Sequence, residues 1–493
     1  MPVQQWCQPL RQHPHFQPQP SIVIPQNEKS TDVRVSGAEL YFLPVTTRMP
    51  LKFGAETLTS VTCARVRLAV TDRSGKTACG WGETPISVQW AWPAELSYQQ
   101  RYEAMTAFCK KLARLWCDSA MWGHPLEVGT TINESQLAEL HRNSEHETSS
   151  HGKMPWLAAL ICSSAYDLAL HDAYGVLHGL PVYQTYHEKW MNRDLASYFG
   201  PETRIDFTGK YPADFLTREP NHTLPAWHLV GGLDPLDQGE LDAQTPHDGY
   251  PVLLEDWIDR DGLDCLKIKL CGTDAEWDFE RTVKVGKISL AKGVRHLSTD
   301  FNCTDHDPAY VTSILHRLKL EHPEIYNLLL YVEQPFPYEL KDHPIDVGTI
   351  AEEKPIFMDE SAHDWRLVRD GHRLTWNGVA LNTCKTQSGA LLSLCWAKAH
   401  GMQLMVQDLT NPMLAQIPHV LLAAYADTIM GVETNAMQFY PEASAEEEKI
   451  HPGLYRRQSG KLDLSTIGGP GFGYQGATEA RTLPEPAISI GMP

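Results

Sequence analysis

The segment Asp264-Cys-Leu-Lys-Ile-Lys-Leu270 is short and apolar, carries two lysines, and is followed by similar segments at regular intervals. These end at Asp300, in His-Leu-Ser-Thr-Asp, and at Glu333, in Leu-Leu-Tyr-Val-Glu. They continue at Asp359, in Ile-Phe-Met-Asp, and at Lys385, in Val-Ala-Leu-Asn-Thr-Cys-Lys. Counted from Lys269, the steps are 31, 33, 26 and 26 positions. A strand, a helix and two loops use about that much chain in a βα unit. A period of this kind, with a carboxylate or an amine closing each strand, predicts a (β/α)₈ barrel with its chemistry at the C-terminal strand ends.

Counting outward gives eight strands, ending near Phe199, Lys269, Asp300, Glu333, Asp359, Lys385, Asp408 and Glu433. Helical stretches fall between them at 274–290, 308–322 and 388–400. The step from Phe199 to Lys269 is far longer than the others. Its last part, 252–260, reads as a helix, which leaves an insertion at about 200–250 that holds His222, Trp227 and His228. A loop of that length is usually functional or disordered. As a connection after a strand, it is expected on the catalytic face.

The chain before the barrel has a different grammar. Residues 33–42, 61–70 and 77–83 alternate apolar and polar, with the turn signal Asp72-Arg-Ser-Gly75 between the last two, so they predict a three-stranded meander. Residues 97–116 and 155–178 read as helices, the second stopped by Gly179-Leu-Pro181. Strands followed by helices make an α+β domain. The fold class is therefore α/β, a modified (β/α)₈ TIM barrel with an N-terminal α+β capping domain. The expected division is a Gln-, Pro- and His-rich disordered tail (1–32), the α+β domain (33–190), the barrel with its insertion (191–460) and a turn-rich C-terminal segment (461–493).

Bulk properties narrow the function. A formal net charge of −19 argues against a nucleic-acid surface. No run of about 18 apolar residues is present, so no membrane span is expected. The tail lacks the apolar core of a signal peptide, and eleven cysteines form no C-x-x-C pair. Reduced thiols in a cytoplasmic homo-oligomer are the expectation.

Side chains alternate across a strand. Leu266, Ile268 and Leu270 share one face, and Lys267 and Lys269, about 7 Å apart, share the other. With the apolar face against the helices, both lysines point into the barrel mouth. Asp300, Glu333 and Asp359 offer hard oxygen ligands suited to Mg²⁺. Lys385 lies four strands on, across the mouth. Two lysines facing one substrate can remove a proton from one face and return it to the other. The run through Asp305 and Asp307 lacks the glycine and closing glutamate of a calcium loop.

With these motifs in place, the chain resembles the enolase superfamily, specifically the muconate-lactonizing enzyme subgroup, over about residues 33–475. The resemblance is carried by Lys267-Ile-Lys269, Asp300-x-Asn302, Glu333-Gln-Pro335, Asp359-Glu-Ser361 and Lys385, by the helix 165–173 with Gly179-Leu-Pro181, and by Pro470-Gly-Phe-Gly473. The last of these resembles the family's segment returning to the capping domain. What the resemblance implies is that Asp300, Glu333 and Asp359 bind Mg²⁺ (or Mn²⁺), that Lys269 and Lys385 are the acid/base pair, and that Lys267 assists beside the substrate carboxylate. Lysine at the sixth strand departs from the mandelate racemase subgroup, which pairs His with Asp. Dipeptide epimerases of the muconate-lactonizing subgroup carry Asp-x-Asp on the eighth strand; here the place reads Glu433-Thr-Asn435.

The function so implied is a Mg²⁺-dependent racemase or epimerase. It would abstract the α-proton of a small-molecule carboxylate through a metal-stabilised enediolate. A cycloisomerase, or a syn-eliminating lyase like o-succinylbenzoate synthase, would use the same site. A binding protein that keeps the barrel without catalysis is a third reading. Candidate substrate contacts are Asn302, Asp408, Glu433, Asn435 and, from the capping loops, Trp90.

Overall fold

The structure is a computed structural model. It describes residues 28–492 other than 55, 95, 148–152, 202, 203 and 244. The expected disordered tail lies outside the described residues up to position 27. Its end is held in place: Asp32 is buried and accepts from the Lys29 amide at 3.0 Å and from Asn192 Nδ2 at 2.8 Å.

The N-terminal sheet is antiparallel. It is built from β1 (Val33–Phe53), β2 (Glu56–Asp72) and β3 (Thr77–Ile86). Asp72 fixes the second turn by accepting from the amides of Ser74 and Lys76 at 2.8 and 2.9 Å, and Gly75 supplies φ +86°. The helix Tyr98–Asp118 starts in a capping box between Ser97 and Gln100. The helix Trp156–His178 ends at Gly179 in the left-handed region. It lies so close on β3 that a Cβ at Gly80 would come within 2.1 Å of the Ala173 amide nitrogen, and one at Gly82 within 2.1 Å of the Ala165 carbonyl. The two glycines of Gly80-Trp-Gly82 are what permit this contact.

Eight parallel strands form the barrel. They are β4 (Thr223–Val230), β5 (Cys265–Lys269), β6 (His296–Asp300), β7 (Leu329–Glu333), β8 (Ile356–Met358), β9 (Gly378–Leu381), β10 (Gln403–Val406) and β11 (Val432–Glu433). The sheet runs β10-β9-β8-β7-β6-β5-β4-β11. Between its ends the Ile429 amide donates to the Leu404 carbonyl at 2.9 Å. Leu266, Ile268 and Leu270 pack in the large core outside the strands. The inward residues Trp227, Cys265, Tyr331, Phe357 and Met405 form a separate apolar layer. By the two-residue period, the next inward positions toward the mouth are Lys267, Glu333, Asp359 and Gln407. Two short strands follow. Strand β12 (Lys461–Asp463) pairs with β4, and β13 (Ile488–Ile490) joins the N-terminal sheet beside β1.

The first barrel strand corrects the sequence reading. Residues 196–199 are a short helix, and the strand is β4, inside the segment read as an insertion at 200–250. Trp227 and His228 are therefore strand residues. The connection after β4 is the shorter run up to the helix Leu254–Asp261. It does meet the capping domain: Arg48 pairs with Asp248 at 2.7 Å, and the Gly232 amide donates to the Lys52 carbonyl at 3.1 Å. Among the described residues the cysteines are free, and no helix is long and apolar enough to cross a membrane.

Candidate active site

The charged residues that end the strands are collected at one end of the barrel, and nearly all are buried. Exposure is 0% for Asp300 and Glu333, 3% for Lys267, 7% for Lys269, 6% for Asp359 and 3% for Lys385. Strand β5 brings Lys267 Nζ within 2.6 Å of Glu333, 3.1 Å of Asp300 and 3.1 Å of Glu433. Lys269 donates to Asp300 Oδ2. Lys385 reaches the cluster from the turn Thr383–Lys385 that follows β9, and donates to the Asp359 carbonyl and, at 2.9 Å, to its Oδ1. Strands β5 and β9 are four apart in a ring of eight, so the two lysines enter from opposite walls, each with its own carboxylate.

Burial alone would disfavour every charge here, and the pairing decides which forms persist. Burial opposes the ammonium of Lys267, but Glu333, Glu433 and Asp300 hold its pKa well above the usual lysine range. Burial also opposes ionisation of Asp300; the charges of Lys269 and Lys267 outweigh it and hold the carboxyl well below the usual range. Glu360 has no such partner. Burial, then the negative charges of Asp359 and Asp300, push it up to about 7. Removing one member of such a buried pair costs about 3–5 kcal/mol, because the other charge is left unpaired.

Among the described residues, no three His, Cys, Asp or Glu side chains stand as they would to hold a metal ion. The cations these carboxylates hold are the lysine ammonium groups. The donor types nevertheless fit Mg²⁺. Three acidic side chains come from consecutive strands β6, β7 and β8, and two buried oxygens beside them, Glu360 Oε2 and Asn302 Oδ1, have no hydrogen-bond partner.

The candidate substrate contacts fall into two groups. Trp90 comes from the capping domain, and its indole N–H donates to Glu360 Oε1 at 3.0 Å; Lys385 Nζ lies 5.6 Å from the indole ring centre. Asn302 donates to the same Glu360 oxygen at 3.3 Å. Asp408, Glu433 and Asn435 are instead bound to one another. Asn435 Nδ2 donates to Asp408 Oδ1 at 3.1 Å and to Glu433 Oε1 at 2.7 Å, and Glu433 takes Lys267.

Sequence reasoning missed several supporting residues. Gln407 donates to Glu333 Oε2 and, at 3.1 Å, to Tyr331. Asn382 donates to Asp359 Oδ1 at 2.8 Å. Gln334 Oε1 accepts from the Asp359 amide at 2.8 Å and from the Ser361 amide at 3.2 Å. The available signal was position, since each stands within a few residues of a strand end. Backbone strain marks the same rim: Asn302, Cys303, Gln334, Thr386 and Thr410 all have positive φ just beyond barrel strands. The capping helix also fixes the approach of Lys385, through Ser164 Oγ donating to the Thr383 carbonyl at 2.7 Å and Asp167 accepting from the Ser388 amide at 2.8 Å.

No family model matches the chain, and no curated protein matches it in sequence. Solved structures do match. The L-Ala-D/L-Glu epimerase from Bacillus subtilis is 18% identical, with 89% of this chain and 98% of that chain covered and a TM-score of 0.56. The N-succinyl Arg/Lys racemase from Bacillus cereus is 14% identical, with 92% and 99% covered and a TM-score of 0.58. The L-talarate/galactarate dehydratase from Salmonella typhimurium is 16% identical, with 93% of both chains covered and a TM-score of 0.54. The fold that they share with this chain is a (β/α)₈ barrel with an α+β capping domain.

Proposed function

We propose that the chain is an enolase-superfamily enzyme of the muconate-lactonizing subgroup, a Mg²⁺-dependent racemase or epimerase acting on a carboxylate with an abstractable α-proton. The observation that carries this reading is the placement of Lys269 and Lys385 on opposite walls of one buried carboxylate cluster. Asp300, Glu333 and Asp359 would hold the ion. When bound, Mg²⁺ supplies positive charge that acidifies the substrate's α-proton. Lys269 takes or returns that proton on one face, and Lys385 does so on the other. The Lys267 ammonium, kept charged by Glu333 and Glu433, faces the negative charge left by proton removal. Trp90 closes the mouth from the capping side. Seclusion from water strengthens each of these electrostatic contacts.

The bound state of Asp408, Glu433 and Asn435 bears on the substrate. With Glu433 committed to Lys267 and Asn435, these residues offer no free pair of carboxylates for a substrate ammonium. This favours an acid whose amino group is absent or acylated, and it supports elimination or cycloisomerisation as the second reading, with one lysine as base and the other as a cation. Incubation of N-acylated amino acids, hydroxy acids and dipeptides with Mg²⁺ in D₂O separates the readings. Deuterium at the α-carbon with loss of optical purity means racemisation. A new product without exchange means elimination or cycloisomerisation. Binding without either outcome sinks the catalytic reading.

A further inference from the structure

The chain holds Lys269 and Lys385 in different ways. Lys269 ends β5, where it pairs with Asp300 in the ladder, and the next amide, that of Leu270, donates to the Asp300 carbonyl at 2.9 Å. The barrel itself sets its place. Lys385 stands beyond β9 in the turn Thr383–Lys385, and the next residue, Thr386, has φ +78°. A β-branched residue at positive φ is strained and persists only where its surroundings hold it.

One face of the helix Trp156–His178 supplies that hold. Ser164 and Asp167 are neighbours on this face at a spacing of i, i+3, and they grip the turn from both sides. Ser164 Oγ accepts from Thr84 Oγ1 at 2.8 Å and donates to the Thr383 carbonyl at 2.7 Å. Asp167 accepts from the Ser388 amide and from Ser388 Oγ, each at 2.8 Å. Because the Ser388 hydroxyl proton goes to Asp167, its oxygen accepts from His171 Nε2 at 3.0 Å, and His171 Nδ1 accepts from the Tyr186 hydroxyl at 2.9 Å. Every bond in this chain therefore runs toward the Asp167 carboxylate. Burial pushes His171 down to about 3, so its ring is neutral, as the chain requires. Burial pushes Asp167 up to about 6, against its Ser388 and Gln387 contacts, and it stays ionised at neutral pH. A Cβ at Gly129 would lie 2.1 Å from Asp167 Oδ1 and 2.6 Å from Ser388 Oγ, so the packing seals the pair. These three residues are not a nucleophilic triad: Asp167, His171 and Ser388 are all 0% exposed, and Ser388 donates to the acid rather than to the imidazole.

We propose that Asp167 is a positioning residue for Lys385 and not for Lys269, so that docking of the capping helix controls proton transfer on one face of the substrate alone. The consequence for each face rests on the two-lysine reading; the placement of the amine does not. The test compares Asp167→Asn and Ser388→Ala in the full chain, with Asp172→Asn as control. Asp172 is also buried on this helix but holds the Trp81 and Phe472 amides instead. Pulse acetylation with acetic anhydride, read by peptide mass spectrometry, needs no substrate. Lys385 should acetylate severalfold faster in Asp167→Asn, and less so in Ser388→Ala, which keeps the amide contact; Lys269 should not change. N-acetylamino acids in D₂O give the second readout. For the enantiomer that Lys385→Ala fails to exchange, α-proton exchange should fall roughly tenfold to a hundredfold, because a misplacement of about 1 Å can cost that much, and for the other it should stay unaltered. If the unaltered protein exchanges none of these acids, the racemase reading fails and the acetylation rates still decide the proposal. An unmoved Lys385, an equal rise at both lysines or in Asp172→Asn, or an equal loss on both faces would overturn it.

Discussion

The Trp90 indole N–H donates to Glu360 Oε1 at 3.0 Å and so joins two residues 270 positions apart, one from the capping domain and one from the rim of the barrel. This bond brings the indole ring within 5.6 Å of Lys385 Nζ. Trp90→Phe keeps the ring and removes the donor. Removing the donor leaves the buried Glu360 oxygen short of a partner, which costs about 1–3 kcal/mol, so kcat/KM should fall roughly fivefold to a hundredfold. Steady-state kinetics, with circular dichroism as a control for folding, checks this; an unchanged kcat/KM would remove Trp90 from the site.

Glu333 has the Lys267 ammonium on one oxygen and the Gln407 amide on the other. Glu333→Gln should weaken Mg²⁺ binding, measured by calorimetry, and reduce turnover by several orders of magnitude. Excess chelator should have the same effect on the unaltered protein, with recovery on adding Mg²⁺. Full activity in chelator would defeat the metal assignment.

Lys269→Ala and Lys385→Ala should each abolish interconversion of enantiomers. Each variant should still exchange the α-proton of one enantiomer with D₂O, and the two should serve opposite enantiomers, because the remaining amine reaches a single face. Proton NMR on each enantiomer reads this directly. Exchange of the same enantiomer by both variants would place the amines on one side.

Arg48 ties β1 to the loop after β4 through Asp248 at 2.7 Å and the Pro251 carbonyl at 3.0 Å. Asp248 is partly exposed, so the pair contributes at most about 1 kcal/mol to stability. Arg48→Ala should raise KM severalfold and leave the Mg²⁺ dissociation constant unaltered, because the carboxylates stand on other strands. Deleting all of 200–250 is not an equivalent test, since it would remove β4 and with it a wall of the barrel.

His419 is fully buried, and its Nε2 bonds the Glu433 carbonyl at 2.7 Å. Burial pushes its pKa down to about 4, below the unfolded value near 6.5. The unfolded chain therefore binds the extra proton first as pH falls. The stabilisation is complete above about pH 6.5 and is lost as pH falls toward 4, at up to about 1.4 kcal/mol per pH unit. The difference in Tm between the unaltered protein and His419→Asn should be largest above neutrality and shrink through this window. A difference that grows on acidification would contradict the assignment.

The sequence by itself determined whatever depends on local periodicity. The spacing of apolar runs, the two lysines on one strand face and the acidic residues closing β6 and β7 were legible because a strand repeats every two residues and a βα unit has a narrow range of lengths. Strand β4 escaped that reading for a local reason. It carries Pro225 and ends in Val230-Gly-Gly with no charged residue. The proline lies ahead of the parallel pairing with β11 and β5, which begins at Ala226 and Trp227, and faces Lys461 of the short edge strand β12. Tertiary structure alone decided that Gln407 meets Glu333, that Asn382 meets Asp359, that Glu433 is committed to Lys267, and that Trp90 descends on Glu360. Those contacts join residues far apart in the chain, and they arise only once barrel closure and the docking of the capping helix bring the strand ends together.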